Sequence, residues 1–99
     1  MVEHIVLVKW KSTVTAEERQ HLLEALQSLK HTIEGIVELH VGHNFSPRSL
    51  GFDAGLVVTF VDQKSLEAYG PHPLHQEVAK RLGAAVDELL ALDFHPLNG

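Results

Sequence analysis

The segment Tyr69-Gly70-Pro71-His72-Pro73-Leu74-His75 gathers one phenol and two imidazoles into a single short stretch. An unperturbed imidazole exchanges protons near neutrality, so a positioned histidine can act as a general base. A phenol can donate a hydrogen bond to the oxygen of a developing enolate or a bound carbonyl. Together these are the parts of a cofactor-independent proton-transfer or aldol-type reaction, with His75 as base and Tyr69 as hydrogen-bond donor. Pro73 suits the first turn of a helix, where its missing N–H costs little. His75 then falls in that first turn, where the positive end of the helix dipole disfavours an imidazolium. A second reading stands beside this one. His75 caps or packs a helix entry, and Tyr69 closes a sheet–helix layer with its hydroxyl in water.

Eight of the 99 residues are histidines, so position decides which of them matter. His4 alternates with Val6 and Val8 on one face of an expected strand, the face that a helix should cover. A histidine buried there needs a hydrogen-bond partner. It reads either as a satisfied core residue or as a group that orients His75 or touches a ligand. His72 precedes a proline and either faces a pocket mouth or caps the helix. His21, His31, His40 and His43 are expected on helix or loop surfaces, and His95-Pro96 is read as a chain end. The spacing of His72 and His75 is not the i, i+4 arrangement of helical zinc motifs, so no metal is expected on His4, His72 and His75.

Composition removes several classes of function. The chain has no cysteine, which excludes disulfides, thiolate metal sites and cysteine nucleophiles, and fits a reducing cytoplasm. A net charge of −5 argues against nucleic acid or an anionic membrane as partner, because both call for a basic footprint. No apolar run approaches the roughly 20 residues of a membrane span. Met1-Val2-Glu3-His4 leads straight into a strand pattern, so no secretory signal is expected. There is no glycine-rich phosphate loop, and no cofactor is expected.

The elements that must position Tyr69 and His75 follow from periodicity. Residues 2–10 read as a strand with apolar side chains on both faces. Thr15 and Glu18 have capping-box spacing ahead of Leu22, Leu23, Leu26, Leu29 and Ile33, a helical stripe that Gly35 should end. Residues 36–43 form a second strand, 44–51 a loop, and 54–61 a third strand that is again apolar on both faces. A short helix runs from Asp62 to Tyr69 and is broken by Gly70-Pro71. The helix from Pro73 is expected to carry Leu74, Val78, Leu82, Val86, Leu89 and Leu90, before a last strand of about 91–95 and the tail Pro96 to Gly99.

The order β-α-β-β-α-β over residues 1–99 predicts one α+β domain of ferredoxin-like plan, an antiparallel four-stranded sheet with helices on one side. Strands apolar on both faces need cover on the second face too. In a chain of 99 residues, a second copy of the same sheet is the simplest cover, which predicts a homodimer.

On these residues the chain resembles the stress-responsive A/B-barrel family. Tyr69-Gly-Pro-His72-Pro73-Leu-His75 is similar to that family's Y-x-x-H-P-x-H signature, and Val41-Gly42-His43-Asn44-Phe45-Ser46 to its V-G-x-N-x-S. Phe52-Asp53, Val57-Val58-Thr59-Phe60 and Asp93-Phe94 follow in the family's order. The resemblance implies sheets that pair into a dimeric α/β barrel. It also implies a cavity between sheet and helices, lined here by His4, Val6, Val8, Leu22, Leu23, Leu26, Leu56, Val58, His72, Val78 and Leu89. By likeness to a plant polyketide cyclase of the family, His75 takes the place of the general base and Tyr69 that of its assisting tyrosine. A further pocket histidine of that cyclase falls at Ala54, and aromatic residues of its first helix at Leu22, Leu23 and Leu26, which changes the pocket's shape. The implied partner is a small, apolar, carbonyl-bearing molecule. The alternative is a non-catalytic stress-response or ligand-binding protein.

Overall fold

In a computed structural model, which describes residues 1–98, the chain forms a four-stranded antiparallel sheet of order β2-β3-β1-β4. Gly99, the last residue of the expected tail, lies outside the described residues. The strands are β1 (Val2–Trp10), β2 (Ile36–His43), β3 (Ala54–Phe60) and β4 (Val86–Phe94). The helices are α1 (Ala16–Gln27), α2 (Gln63–Tyr69) and α3 (Pro73–Ala85), with a 3-10 turn over Ser28–His31. This is the α+β, ferredoxin-like arrangement expected from the alternation of elements.

Local chemistry explains the helix starts. The capping box at α1 forms, with the Glu18 N–H donating to Thr15 Oγ1 at 3.1 Å and the Glu18 carboxylate turned back toward the Thr15 N–H. Asp62 caps α2 by accepting from the Ser65 N–H at 2.8 Å, and that bond holds its carboxyl below the usual carboxylate range. His72 caps α3 through Nδ1, which accepts from the Leu74 N–H at 3.1 Å, with Pro73 in the first turn. Of the two sequence readings of His72, the helix cap is the one realised.

The helix-facing side of the sheet carries Val2, Val6, Val8, Trp10, Leu39, Leu56, Val58 and Phe60, all buried against Leu22, Leu23, Leu26, Val78 and Leu82. The other side carries Ile5 and Leu7 of β1, Val57 of β3, and Leu90, Leu92 and Phe94 of β4. Leu7, Val57, Leu90, Leu92 and Phe94 are exposed there.

Two boundaries differ from the sequence reading. α1 closes at Gln27 through the 3-10 turn, yet Leu29 and Ile33 remain buried. The second difference concerns Val86, Leu89 and Leu90, which belong to β4 and not to α3. Apolar residues at 86, 89 and 90 continue a helical spacing, while Leu90, Leu92 and Phe94 also satisfy strand alternation. Pairing with β1 along Val8↔Leu89 and Leu7↔Leu90 decides in favour of the strand. Leu89 therefore lies on the helix side of an edge strand and stays 47% exposed.

Gly35 opens β2 with φ +95°, a left-handed conformation that side chains rarely adopt. A Cβ at this position would lie 2.5 Å from Ser65 Oγ in the first turns of α2. The close approach of this corner to α2 thus depends on the glycine.

Candidate functional site

Four rings meet at one end of the sheet–helix layer. The Tyr69 ring packs 4.1 Å from His75, 5.1 Å from Phe60 and 5.9 Å from His4, centroid to centroid. His4 also meets Phe60 edge-on at 6.4 Å. Each comes from a different element or break: His4 from β1, Phe60 from the end of β3, Tyr69 from the last position of α2, and His75 from the first turn of α3. The Gly70-Pro71 break allows this, because it folds α3 back so that two ring residues six positions apart come into contact.

Hydrogen bonding fixes how the imidazoles are presented. His75 Nδ1 lies 3.0 Å from the Gly70 carbonyl oxygen, an acceptor only, so Nδ1–H donates and Nε2 keeps its lone pair in the neutral ring. His4 Nδ1 bonds to the Asp93 carboxylate across the β1–β4 pair, where the two residues are direct register partners. His4 is 14% exposed and Asp93 48%, so the pair spans from the buried layer to the surface. His72 is turned the other way, with Nδ1 as an acceptor in its cap.

Tyr69 is 2% exposed, and its hydroxyl finds no hydrogen-bond partner among the described residues. Burial pushes the phenol up to about 12, so it stays protonated and able to donate across the physiological range. A hydroxyl buried without a partner costs about 1–3 kcal/mol, which is why such groups are rare and call for an explanation.

The remaining residues expected to line a cavity sit deeper in the layer, except Leu89, which lies exposed on edge strand β4. Val6, Val8, Leu23, Leu26 and Leu56, with Ala54 and Leu82, enclose a void of about 10 Å³, the scale of a single water. Leu22, Val58 and Val78 are buried in the same core. The ring cluster is instead adjoined by an open groove of about 510 Å³ between α2 and the end of β4, lined by Val2, Gln63, Leu66, Glu67, Gly70, Asp93, Phe94 and His95. Among the described residues, no group of three histidine, cysteine, aspartate or glutamate side chains is placed to hold a metal ion. No helix among them is long and apolar enough to cross a membrane.

Sequence reasoning named His4, His72, Tyr69 and His75, and of these His4, Tyr69 and His75 are brought together. It missed Asp93 and Phe60 as members of the cluster, along with Gln63, Glu67, Gly70 and His95 of the groove. Alternation alone puts Phe60 on the face of Val58. Asp93 becomes visible only once β4 is set in register against β1.

The chain matches a known family along almost its whole length. The model of the stress responsive A/B barrel domain matches residues 2–96, and the chain belongs to that family. It is 28% identical over 99 residues to the stress-response A/B barrel domain-containing protein HS1 of Arabidopsis thaliana, covering 98% of this chain and 91% of that one. Among solved structures it is similar to At3g17210 of Arabidopsis thaliana, with a TM-score of 0.89, 28% identity and coverage of 97% and 95% of the two chains. A dimeric ferredoxin-like protein of unknown function from Jannaschia sp. CCS1 superposes with a TM-score of 0.83 at 26% identity, over 95% and 97%. The hydroxynitrile lyase of Passiflora edulis shares the fold, with a TM-score of 0.87 at 22% identity, over 94% and 90%.

Proposed function

We propose that the chain works as a homodimer, each subunit carrying a cofactor-independent proton-transfer site for a small carbonyl compound. In this reading His75 Nε2 is the base, the Tyr69 hydroxyl donates to the carbonyl oxygen, and the Asp93-held His4 completes the polar end of the site. The observation that carries it is the Tyr69 hydroxyl, a protonated donor buried without a partner among the described residues, its ring packed at a tilt against a histidine whose Nδ1, not Nε2, makes the Gly70 bond. The donor lowers the energy of the enolate that forms as the base removes the adjacent proton. The homodimer is supported by dimeric ferredoxin-like neighbours and by the apolar open face of Ile5, Leu7, Leu90, Leu92 and Phe94. A neighbour in fold is a hydroxynitrile lyase, an enzyme, so this architecture does host catalysis.

A second reading is a non-catalytic stress-response protein whose dimer is the functional unit. The void of about 10 Å³ among the core leucines favours it, because that layer has no room for an organic ligand as it stands. Histidine-resolved NMR, with a screen of small carbonyl and phenolic compounds, separates the two. Ligand-dependent shifts at His75, and turnover lost in His75→Ala with the fold retained, support the enzyme reading. Turnover unchanged in His75→Ala removes His75 as the base.

A further inference from the structure

The groove between α2 and β4 has a built polar wall. Gln63, Leu66, Glu67 and Gly70 recur at helical spacing and form the α2 side. His95 Nε2–H donates to Gln63 Oε1 at 3.1 Å, and Gln63 Nε2–H donates to Glu67 Oε2 at 3.2 Å. The amide thus fixes both neighbours and points the chain of bonds at a carboxylate. Asp93 supplies a second carboxylate to the lining and bonds His4, while Val2, Leu66 and Phe94 supply apolar surface. Among the described residues, no lysine or arginine lines the groove.

Gly70 is where this groove meets the ring cluster. It lines the groove, its carbonyl holds His75, and it follows Tyr69 directly. Its backbone is αR directly before Pro71, where a Cβ crowds the proline ring, but apart from its chain neighbours a Cβ added there would meet nothing within 4 Å. A side chain at this position would grow into open space, with its strain confined to the link to Pro71.

Resting on the proton-transfer reading above, we infer that the substrate enters through the α2–β4 groove across Gly70, and that it is an uncharged or cationic compound with a hydroxyl or amine donor and an apolar body. Two carboxylates with no lysine or arginine in the lining repel a carboxylate or phosphate-bearing ligand and accept from a donor. The groove, and not the leucine layer, is then the binding surface that selects the ligand.

The test uses two aldehydes of similar size on the full chain, 4-(hydroxymethyl)benzaldehyde and 4-formylbenzoate, followed by the NMR signals of His4, His75 and His95. The neutral alcohol is expected to bind on the order of ten-fold more tightly than the anion at low salt. Glu67→Lys should narrow or invert that preference, and Gly70→Leu should abolish binding while the fold signals persist. Equal or tighter binding of the anion overturns the ligand class. Full affinity in a folded Gly70→Leu, with His75 still shifted by the ligand, overturns the groove as the route and leaves the proton-transfer site standing. Failure of both aldehydes to shift any of the three histidines in the wild type overturns both.

Discussion

His4 of β1 and Asp93 of β4 are direct register partners whose side chains bond on the helix side of the sheet, while the opposite faces of the same two strands carry Ile5, Leu7 and Leu92. One pair of strands therefore builds the polar end of the candidate site with one face and an apolar surface with the other.

The tautomers of three histidines are set by their partners. His4 and His75 carry the proton on Nδ1 in the neutral form, and His72 carries it on Nε2. For these three, side-chain nitrogen shifts above the histidine titration should show two signals of the first kind and one of the second. Asp93→Ala should release His4 alone to the common Nε2–H form, at a stability cost of no more than about 1 kcal/mol for so exposed a carboxylate. An unchanged His4 pattern in that variant contradicts the pairing.

Tyr69→Phe keeps the ring packed against Phe60 and His75 and removes only the partnerless hydroxyl. Stability is expected to hold or to rise by about 1–2 kcal/mol, because the unsatisfied group no longer needs to be buried. Turnover or ligand-induced shifts at His75 should be lost at the same time. A loss of several kcal/mol in urea denaturation would show that the hydroxyl has a structural partner after all.

Alkaline pH offers an independent check on the same residue. Burial raises the phenol from 10.0 to about 12, so between those values the folded chain keeps a proton that the unfolded chain has lost. The stability contributed by this difference is intact below about pH 10 and is lost as pH climbs toward 12. Over that window the folded state should lose about 2–3 kcal/mol, and Tyr69→Phe should remove this component of the slope. A wild type and variant with parallel pH profiles would rule out the burial effect.

Ile5→Asp or Leu7→Asp sets a charge on the open sheet face, away from the helices. If two copies meet there, either variant buries an unpaired carboxylate, a change worth about 3–5 kcal/mol, and light scattering should report monomers or unfolded chains. A well-folded dimer of both variants sinks this face as the interface.

Much of this architecture was legible before any coordinates. Alternation in β1 and β3, the Thr15–Glu18 box and Pro73 after a glycine break are local signals, and each marks a real element boundary. The Tyr69–His75 contact is local as well, since only a helix break separates the two rings. The start of β4 was not legible, because Val86, Leu89 and Leu90 continue the helical spacing while Leu90, Leu92 and Phe94 fit strand alternation, and only pairing with β1 discriminates. Asp93 beside His4 and His95 beside Gln63 depend on register between distant segments. Spacing along one chain does not carry that information.

Gly35 extends the reach of the site beyond its own residues. Any side chain there must displace Ser65, and with it the helix that presents Gln63, Glu67 and Tyr69. Over the history of such a chain, exposed positions of α2 outside the groove, such as Lys64 and Ala68, can drift freely. Position 35 is a different kind of constraint. It touches none of the four rings, yet a substitution there would press on the helix that presents Tyr69, so it is expected to tolerate few neutral changes.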